Sequence, residues 1–444
     1  MERLILEKLR QWQDSKYRKP LILKGIRQSG KTWVLREFGR RCYVHTAYIS
    51  FDEHAEYKQF FETTRDVKRI LQNLAMAGGF TIKPEATLII FDEIQECPEA
   101  LASLKYFCEE APEYHVACAG SLLGIAMGTS FPVGKVDFLD IYPMNFTEFL
   151  MANGDENLVS YINTIDRIEP LPEAFFNPLY EKLKMFYVCG GMPEAVKMWT
   201  EERNVEEVQR ALSGIIGGYE RDFSKHPGNT EFPKISLIWQ SLPSQLAREN
   251  KKFLYRAVKE GARAREYESA LQWLCDAGLA QKIYRITAPG LPLSAYDDLG
   301  AFKIYLPDVG LLRRLARLAP SAFAEENRLF TEFKGSLSEN YVLQAIAGQF
   351  EGSPRYWTME NPHYEVDFLA QWENEIIPME VKSETNVESK SLRRYMEKYD
   401  EAAPLGLRFS LKNLRLDGRI LNIPLFLAGR VERFISLALK RSAW

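Results

Sequence analysis

The chain has 444 residues, which is more than one ordinary domain needs, so two or three domains are expected. With 46% hydrophobic and 26% charged residues, its composition is that of an ordinary soluble globular protein. The formal net charge of −3 argues against a protein that is basic over its whole surface.

The sequence gives no sign of a membrane protein or of a disulfide framework. The N-terminal stretch "MERLILEKLRQWQDSKYRKP" predicts an amphipathic helix rather than a signal peptide, because charges interrupt its apolar residues throughout. No apolar run approaches the ~20 residues that span a bilayer. None of the six cysteines forms a CxxC pair, so neither structural metal nor disulfides are expected. A reducing cytoplasm is the predicted location, with no membrane partner.

The segment "KPLILKGIRQSGKTWVLREFGRR" predicts a strand, a phosphate-binding loop and a helix. GIRQSGKT fits the P-loop pattern, in which glycines let backbone N–H groups face the β-phosphate at the positive end of the helix. Lys31 is expected to reach the β- and γ-phosphates, and the Thr32 hydroxyl to ligate Mg²⁺. The predicted ATP-binding residues are Gly25, Ile26, Arg27, Gln28, Ser29, Gly30, Lys31, Thr32 and Trp33.

A second motif, "ATLIIFDEIQ", supplies acids at the end of an apolar strand. In open α/β sheets the ligand lies at the carboxyl ends of the strands, where Asp92 and Glu93 emerge. Asp92 is expected to hold Mg²⁺, and Glu93 to orient or deprotonate the attacking water. An acidic strand end that caps the next helix is the alternative interpretation.

Two further strands are predicted in this region, from "YVHTAYISFDE" and "YHVACAGSLLG". The second ends at Ser121, which suits either a sensor of the γ-phosphate or an N-cap that opens the helix LLGIAM. The alternation of strands and helices predicts an α/β domain with a parallel sheet.

The motifs "KPLILKGIRQSGKT", "IIFDEIQ", "AGSLLG", "YPMNFTEFL" and "CGGMPEAV" occur in this order. Together they resemble prokaryotic AAA-type P-loop ATPases that carry a C-terminal domain of unknown function with a restriction-endonuclease-like fold. The resemblance covers almost the whole chain. It departs where such proteins have Gly-Arg before the "YP" segment, because Lys135 stands there and lacks the bidentate fork of an arginine.

Residues from about 201 to 320 are predicted to be mostly helical, followed by the strand-like "LAQKIYRIT" and a Pro/Gly-rich loop. This order resembles a winged-helix arrangement, in which Arg263 and Arg265 would contact phosphates. A helical linker domain with ordinary surface arginines is the alternative, and it is the one that the sequence favours. The segment "FKIYLPDVGLLRRLARL" is similar to a Lys-Tyr…Asp-x-Gly-Leu segment of the same family, with no role that the sequence reveals.

The C-terminal region combines a helix with two strands that carry charged residues. "FKGSLSENYVLQAIAGQF" predicts a helix with Glu339 on the stripe of Leu343, Ile346 and Phe350. "YEVDFLAQW" places Asp367 on one face of a strand, and "EIIPMEVKSE" places Glu380 and Lys382 on one face of the next.

These residues resemble the core of PD-(D/E)xK nucleases, with Glu339 as an additional helical acid. Carboxylates of Glu339, Asp367 and Glu380 would hold Mg²⁺ against a scissile phosphate, and Lys382 would activate the attacking water. Val366 stands where the motif usually has proline. A hairpin with a solvated charged face would give the same letters.

The predicted division is therefore an AAA-type P-loop ATPase domain with a lid at 1–200, a helical, winged-helix-like region at 201–322 and an α/β restriction-endonuclease-like domain at 323–444. The predicted catalytic residues are Lys31, Glu93, Glu380 and Lys382. Two hypotheses follow: an ATPase that acts on DNA or other nucleic acid with a nuclease-like domain, or a regulatory ATPase whose C-terminal domain only binds DNA or a protein. Neither Arg27 nor Arg221 is assigned as an arginine finger; a finger from a neighbouring subunit would require a homo-oligomer.

Overall fold

The computed structural model describes residues 1–120, 132–225, 231–248, 252–323, 331–359, 364–383 and 388–440. The chain forms two compact units. The first comprises Glu2–Tyr142 and Asp276–Gly278, and the second comprises Met1, Pro143–Cys275 and Leu279–Trp444. Among the described helices, none combines the length and the apolar character that crossing a bilayer requires.

The first unit is built on a five-stranded sheet in the order β2-β3-β4-β1-β5, with every neighbouring pair parallel. This confirms the predicted parallel sheet. The strands are β1 (Leu21–Lys24), β2 (His45–Ser50), β3 (Thr87–Asp92), β4 (His115–Ala119) and β5 (Asp137–Asp140). The helices are α1 (Ile5–Asp14), α2 (Lys31–Cys42), α3 (Gln59–Glu62), α4 (Val67–Gly78) and α5 (Pro98–Glu110).

Both faces of this sheet are buried, as the continuous apolar runs of its strands predict. Ile22 and Phe91 belong to one hydrophobic cluster, which includes residues of α4 and α5. The alternate positions Leu23 and Ile90 belong to a second cluster, which includes residues of α1 and α2. Because parallel strands end at the same edge, the loops after β1 and β3 meet there.

The second unit combines helices with an eight-stranded mixed sheet in the order β12-β13-β11-β10-β9-β8-β6-β7. The helices are α6 (Phe146–Ala152), α7 (Glu156–Thr164), α8 (Glu173–Cys189), α9 (Pro193–Glu202), α10 (Val205–Asp222), α11 (Phe232–Leu246), α12 (Ala264–Asp276), α13 (Val309–Leu315), α14 (Thr331–Ile346), α15 (Lys390–Lys398) and α16 (Val431–Leu439). The strands are β6 (Gln281–Ile286), β7 (Asp297–Tyr305), β8 (Arg355–Thr358), β9 (Glu365–Trp372), β10 (Glu375–Val381), β11 (Gly406–Ser410), β12 (Arg415–Asp417) and β13 (Ile420–Pro424).

The hairpin of β6 and β7 joins the same sheet as the C-terminal strands, since β6 pairs in parallel with β8. The sheet therefore takes strands from both sides of the predicted boundary at 322/323. The other predicted boundary, at 200/201, lies inside the second unit, which begins at Pro143 apart from Met1.

Helix α14 is shorter than predicted. It ends at Ile346, so Phe350 lies beyond it and is not part of the stripe with Glu339 and Leu343. Gly348 has a φ of +73°, a conformation that ends a helix.

Three of the sequence motifs meet inside the second unit. The buried Asp308 of "LPDVGLL" accepts hydrogen bonds from the backbone N–H of Gly191 at 2.5 Å and of Leu311 at 2.9 Å. Gly191, from "CGGMPEAV", in turn accepts a bond of 2.6 Å from the N–H of Met144 in "YPMNFTEFL". These motifs therefore hold α6, α9 and α13 together through the Asp308 carboxylate and a backbone hydrogen bond.

Candidate nucleotide-binding and acidic sites

The P-loop connects β1 to α2 and needs glycine at two positions. A Cβ on Gly25 would lie 2.3 Å from the carbonyl oxygen of Ile141, so no other residue fits there. Gly30 has a φ of +92°, which favours glycine. The side chains of Ile26 and Ser29 are buried, whereas those of Arg27 and Gln28 are exposed. The loop thus opens at the N-terminus of α2, where an anion is favoured.

Lys31 is almost fully buried and bends back onto the loop. Its Nζ donates hydrogen bonds of 2.8 Å to the carbonyl oxygens of both Gly25 and Ile26. Burial lowers the pKa of Lys31 to about 8, although Glu93 and Asp92 favour its charged form. A bound phosphate would place a negative charge beside this ammonium and so favour its charged form.

Asp92, at the end of β3, is hydrogen-bonded to side chains from α2 and β2. Its Oδ2 accepts hydrogen bonds from the Thr32 hydroxyl at 2.8 Å and from the Tyr48 hydroxyl at 2.7 Å. Its Oδ1 accepts the backbone N–H of Glu93 at 3.1 Å. Burial raises the pKa of Asp92. The adjacent hydroxyl and carboxylate oxygens of Thr32 and Asp92 form a donor set that fits Mg²⁺.

Glu93 directly follows β3 in a left-handed conformation, with a φ of +49°. Its Oε2 accepts a hydrogen bond of 2.5 Å from the Gln95 side chain. A residue held in this way at the carboxyl end of a strand suits the orientation of a water molecule beside the nucleotide. The predicted sensor Ser121 lies outside the described residues.

Sequence reasoning missed two residues of this site. Tyr48 reaches Asp92 only because β2 pairs with β3, a pairing that no motif announces. The buried Arg3 donates hydrogen bonds to the carbonyl oxygens of Ser29 at 3.0 Å and of Tyr142 at 2.7 Å, which fastens the P-loop. Of the other expected positions, Trp33 is half exposed and Lys135 pairs with Glu109 at 2.8 Å on the surface.

In the second unit, the predicted acids do come together around Lys382. Its Nζ lies 2.8 Å from Oε1 of Glu380, so these two side chains share one face as predicted. Asp367 accepts a hydrogen bond of 2.8 Å from the N–H of Val381. Burial disfavours the charged form of Lys382, but Glu380, Asp367 and Glu339 offset this and raise its pKa.

Sequence reasoning missed a second lysine in this cluster. Lys303 of β7 is fully buried and forms an ion pair with Glu365 of β9. Tyr305, two residues further on, donates a hydrogen bond of 3.0 Å to the buried Glu339. Burial disfavours a charged Lys303, but the surrounding groups, Glu365, Glu339 and Asp367 among them, raise its pKa well above its usual range.

The metal site predicted from Glu339, Asp367 and Glu380 stays a prediction. Among the described residues, no group of three or more Asp, Glu, His or Cys side chains is arranged to hold a metal ion. Glu339 faces Tyr305, Asp367 faces a backbone N–H, and one oxygen of Glu380 faces Lys382.

Comparison with protein families identifies parts of the chain. Residues 17–150 match an AAA domain, residues 180–322 a domain of unknown function (DUF8612) and residues 334–426 another domain of unknown function (DUF4143). No curated protein sequence matches the chain.

Several solved structures are similar to parts of the chain. A Walker-type ATPase of Pyrococcus abyssi is 14% identical over 70% of this chain and 94% of that one, with a TM-score of 0.43. The RuvB Holliday junction branch migration motor of Thermotoga maritima is 12% identical over 64% and 90%, with a TM-score of 0.30. Drosophila ORC bound to DNA is 13% identical over 70% and 93%, with a TM-score of 0.27.

Because these TM-scores are below 0.5, the functional assignment depends on the AAA match and on the geometry of the site. The matched segment contains the P-loop, Asp92 and Glu93. These residues meet at one edge of a parallel sheet in the arrangement that nucleotide hydrolysis requires. The chain is an ATPase.

Proposed function

We propose that this ATPase acts on nucleic acid, which it binds through a winged-helix-like module in its second unit. The observation that carries the proposal is the order of elements over residues 232–305. Helix α11 precedes a β-bridge between Lys252 and Lys303, then come a short 3₁₀ helix at Tyr255–Ala257, the longer α12, and the hairpin of β6 and β7. Winged-helix proteins place their second long helix in a DNA groove.

The start of α12 carries the charge that such a contact needs. Arg263 and Arg265, at the start of this helix, are exposed, and so are Arg256 and Lys259 of the segment that precedes it. The opposite side of α12 is buried through Tyr267 and its apolar neighbours, so the exposed side is free for a phosphate backbone. This supports the winged-helix interpretation over the linker that the sequence favoured.

We further propose that the C-terminal segment has the restriction-endonuclease-like fold. Helix α14 is followed by β8, β9 and β10, which pair antiparallel, then by α15 and by β11, which pairs in parallel with β10. This order of one helix, three strands, one helix and one strand supports the resemblance to the restriction-endonuclease-like fold. Glu380 and Lys382 lie at the end of the third strand and directly after it. In this proposal the segment binds nucleic acid without cutting it, and ATP hydrolysis regulates that binding.

Cleavage is the second candidate function, and one observation favours it. Oε2 of the buried Glu380 has no hydrogen-bond partner among the described residues, as expected of an oxygen kept for a further ligand. A nuclease assay on labelled single-stranded, duplex and branched DNA, with Mg²⁺ or Mn²⁺ and with or without ATP, separates the two. Cleavage by the wild type that Lys382→Ala abolishes would establish the second candidate; no cleavage with ATP hydrolysis intact supports the first.

The binding proposal is tested by fluorescence anisotropy with labelled DNA over a series of salt concentrations. The double variant Arg263→Ala/Arg265→Ala is expected to bind DNA about tenfold more weakly. The slope of log K against log salt concentration should fall by the amount that roughly two phosphate contacts contribute. The matched control is Lys197→Ala/Arg210→Ala, since these exposed basic residues pair with acids of their own helices. Equal losses in both double variants would contradict a specific contact at α12.

Three further properties belong to this proposal. Mg²⁺ is expected between Thr32 and Asp92, where it would neutralise the phosphates of ATP. All six cysteines are unpaired, which fits a reducing cytoplasm. If an arginine of a neighbouring subunit completes the site, ATP turnover rises faster than linearly with protein concentration; a constant specific activity would exclude such a homo-oligomer.

A further inference from the structure

Lys303 is buried at a position where an uncompensated ammonium would be very costly. Its side chain is 0% exposed, and its Nζ lies 4.9 Å from the centre of the Tyr356 ring, a contact that favours a cation. Burial of a charge is tolerated only when opposite charges and hydrogen bonds surround it. The residues around Lys303 therefore indicate what this lysine does.

Carboxylates supply the compensation. Glu365 forms the direct ion pair with Lys303, and the Coulombic influence of Glu339 and Asp367 also reaches its ammonium. The acids in turn have a second cation in Lys382, which directly follows strand β10. Arg408 of β11 stands opposite Glu380 in the strand register and adds positive charge on that side.

We propose that Lys303 is the resident cation of this acidic cluster, and that the cluster, with Lys303 and Lys382 in place, recruits no divalent metal ion. A doubly charged ion would have to enter beside two buried or half-buried ammonium groups, of which Lys382 already pairs with Oε1 of Glu380 and Lys303 with Glu365. The proposal goes beyond the proposed nucleic-acid function and does not depend on it. It gives the Lys-Tyr pair of "FKIYLPDVGLL" a role.

That role also explains why the hairpin shares the C-terminal sheet. Lys303 and Tyr305 reach from β7 to acids of β9 and α14. Directly after them, the side chain of Asn340 on α14 exchanges two hydrogen bonds, of 2.9 and 3.0 Å, with the backbone of Leu306. The acidic cluster therefore fastens the hairpin of the winged-helix-like module to the nuclease-like segment.

The first test measures Mn²⁺ binding by electron paramagnetic resonance, in the absence of nucleotide. It uses the full chain carrying Asp92→Asn, so that the first unit contributes no metal-binding carboxylate at its P-loop. No stoichiometric Mn²⁺ site is expected, and no rise in melting temperature on addition of Mg²⁺. One bound Mn²⁺ per chain that disappears with Asp367→Asn would overturn the proposal.

The second test measures melting temperatures of charge variants. Lys303→Met is expected to lower the melting temperature by roughly 5–15 °C, because it leaves buried acids without their cation. Adding Glu365→Gln should restore a large part of that loss, since both partners of the pair are then removed. The control is Lys282→Met, a partly exposed lysine of the same hairpin. A Lys303→Met variant that melts like this control would overturn the proposal, and so would a double variant that recovers nothing. If Lys303→Met does not fold, the Mn²⁺ measurement on the chain with its lysines intact still decides.

Discussion

Thr32 and Asp92 are joined by a hydrogen bond of 2.8 Å, although 60 residues separate them in the sequence. The bond links the start of α2 to the end of β3, so it joins the two halves of the nucleotide site. The buried carboxylate of Asp92 is held at a defined position, which lowers the entropic cost of placing Mg²⁺ there.

Glu93 is expected to act in hydrolysis and not in ATP binding. The variant Glu93→Gln keeps the shape of the side chain but removes the carboxylate that orients the attacking water. We expect kcat to fall about 100-fold or more, with ATP affinity nearly unchanged. The measurements are a phosphate-release assay and a nucleotide-binding titration. The exposed Glu96 provides the control Glu96→Gln, which should keep full activity; a similar loss in both variants would contradict the assigned role.

Tyr48 is expected to position Asp92. Tyr48→Phe removes one of the two side-chain hydrogen bonds that Oδ2 of Asp92 accepts, which is worth about 1 kcal/mol. We expect kcat to fall roughly fivefold and the Mg²⁺ concentration for half-maximal activity to rise. A Mg²⁺ titration of ATPase activity measures both. Tyr43→Phe is a matched control in the same unit, because the Tyr43 hydroxyl contacts His115 at 2.6 Å and not the site. An unchanged Mg²⁺ dependence in Tyr48→Phe would show that Thr32 suffices.

The first unit could be predicted largely from sequence because its chemistry lies in short, fixed spacings. The P-loop residues are consecutive, and Asp92 directly ends an apolar strand, so both motifs carry their own structural context. Tyr48 could not be found in this way. Its hydroxyl reaches Asp92 through the pairing of β2 with β3, and pairing between strands leaves no local signature in the sequence.

In the second unit, too, residues that meet only through strand pairing could not be predicted from the sequence. Glu380 and Lys382 were found because a strand alternates its side chains, and their contact at 2.8 Å follows from that period. Lys303 was not found, since 62 residues separate it from Glu365 and a predicted domain boundary lies between them. In addition, lysines are usually exposed on the surface, so a buried lysine is not expected from the sequence. Only the shared sheet reveals the pair.

The pKa of Lys31 leads to a prediction about pH. Burial lowers the pKa of Lys31 to about 8 from the usual lysine value of 10.5. Between these two values the unfolded chain binds more protons than the folded one, so the stability that Lys31 costs at neutral pH is regained as the pH rises. We expect the melting temperature of the wild type to approach that of Lys31→Met between about pH 8 and pH 10.

The measurement compares melting curves of the two proteins over this range without nucleotide. Lys68→Met serves as the control, because Lys68 is an exposed residue of α4 in the same unit. ATP should reverse the effect in the wild type, since its phosphates favour the charged ammonium. A melting-temperature difference between wild type and Lys31→Met that stays constant with pH would show that burial does not penalise the charged form of Lys31.

Gly191 and Gly214 give opposite predictions for the same substitution. A Cβ on Gly191 would lie 2.0 Å from the carbonyl oxygen of Met144, at a junction where the Gly191 N–H also binds Asp308. Gly191→Ala must therefore move backbone, and we expect it to cost more than about 3 kcal/mol of unfolding free energy. Gly214 lies inside α10 with open space around its Cβ position, so Gly214→Ala should stabilise by about 0.5–1 kcal/mol. Urea unfolding of both variants measures the two changes. A Gly191→Ala protein as stable as the wild type would mean that the junction can widen, and that these motifs are not held together by close backbone contact.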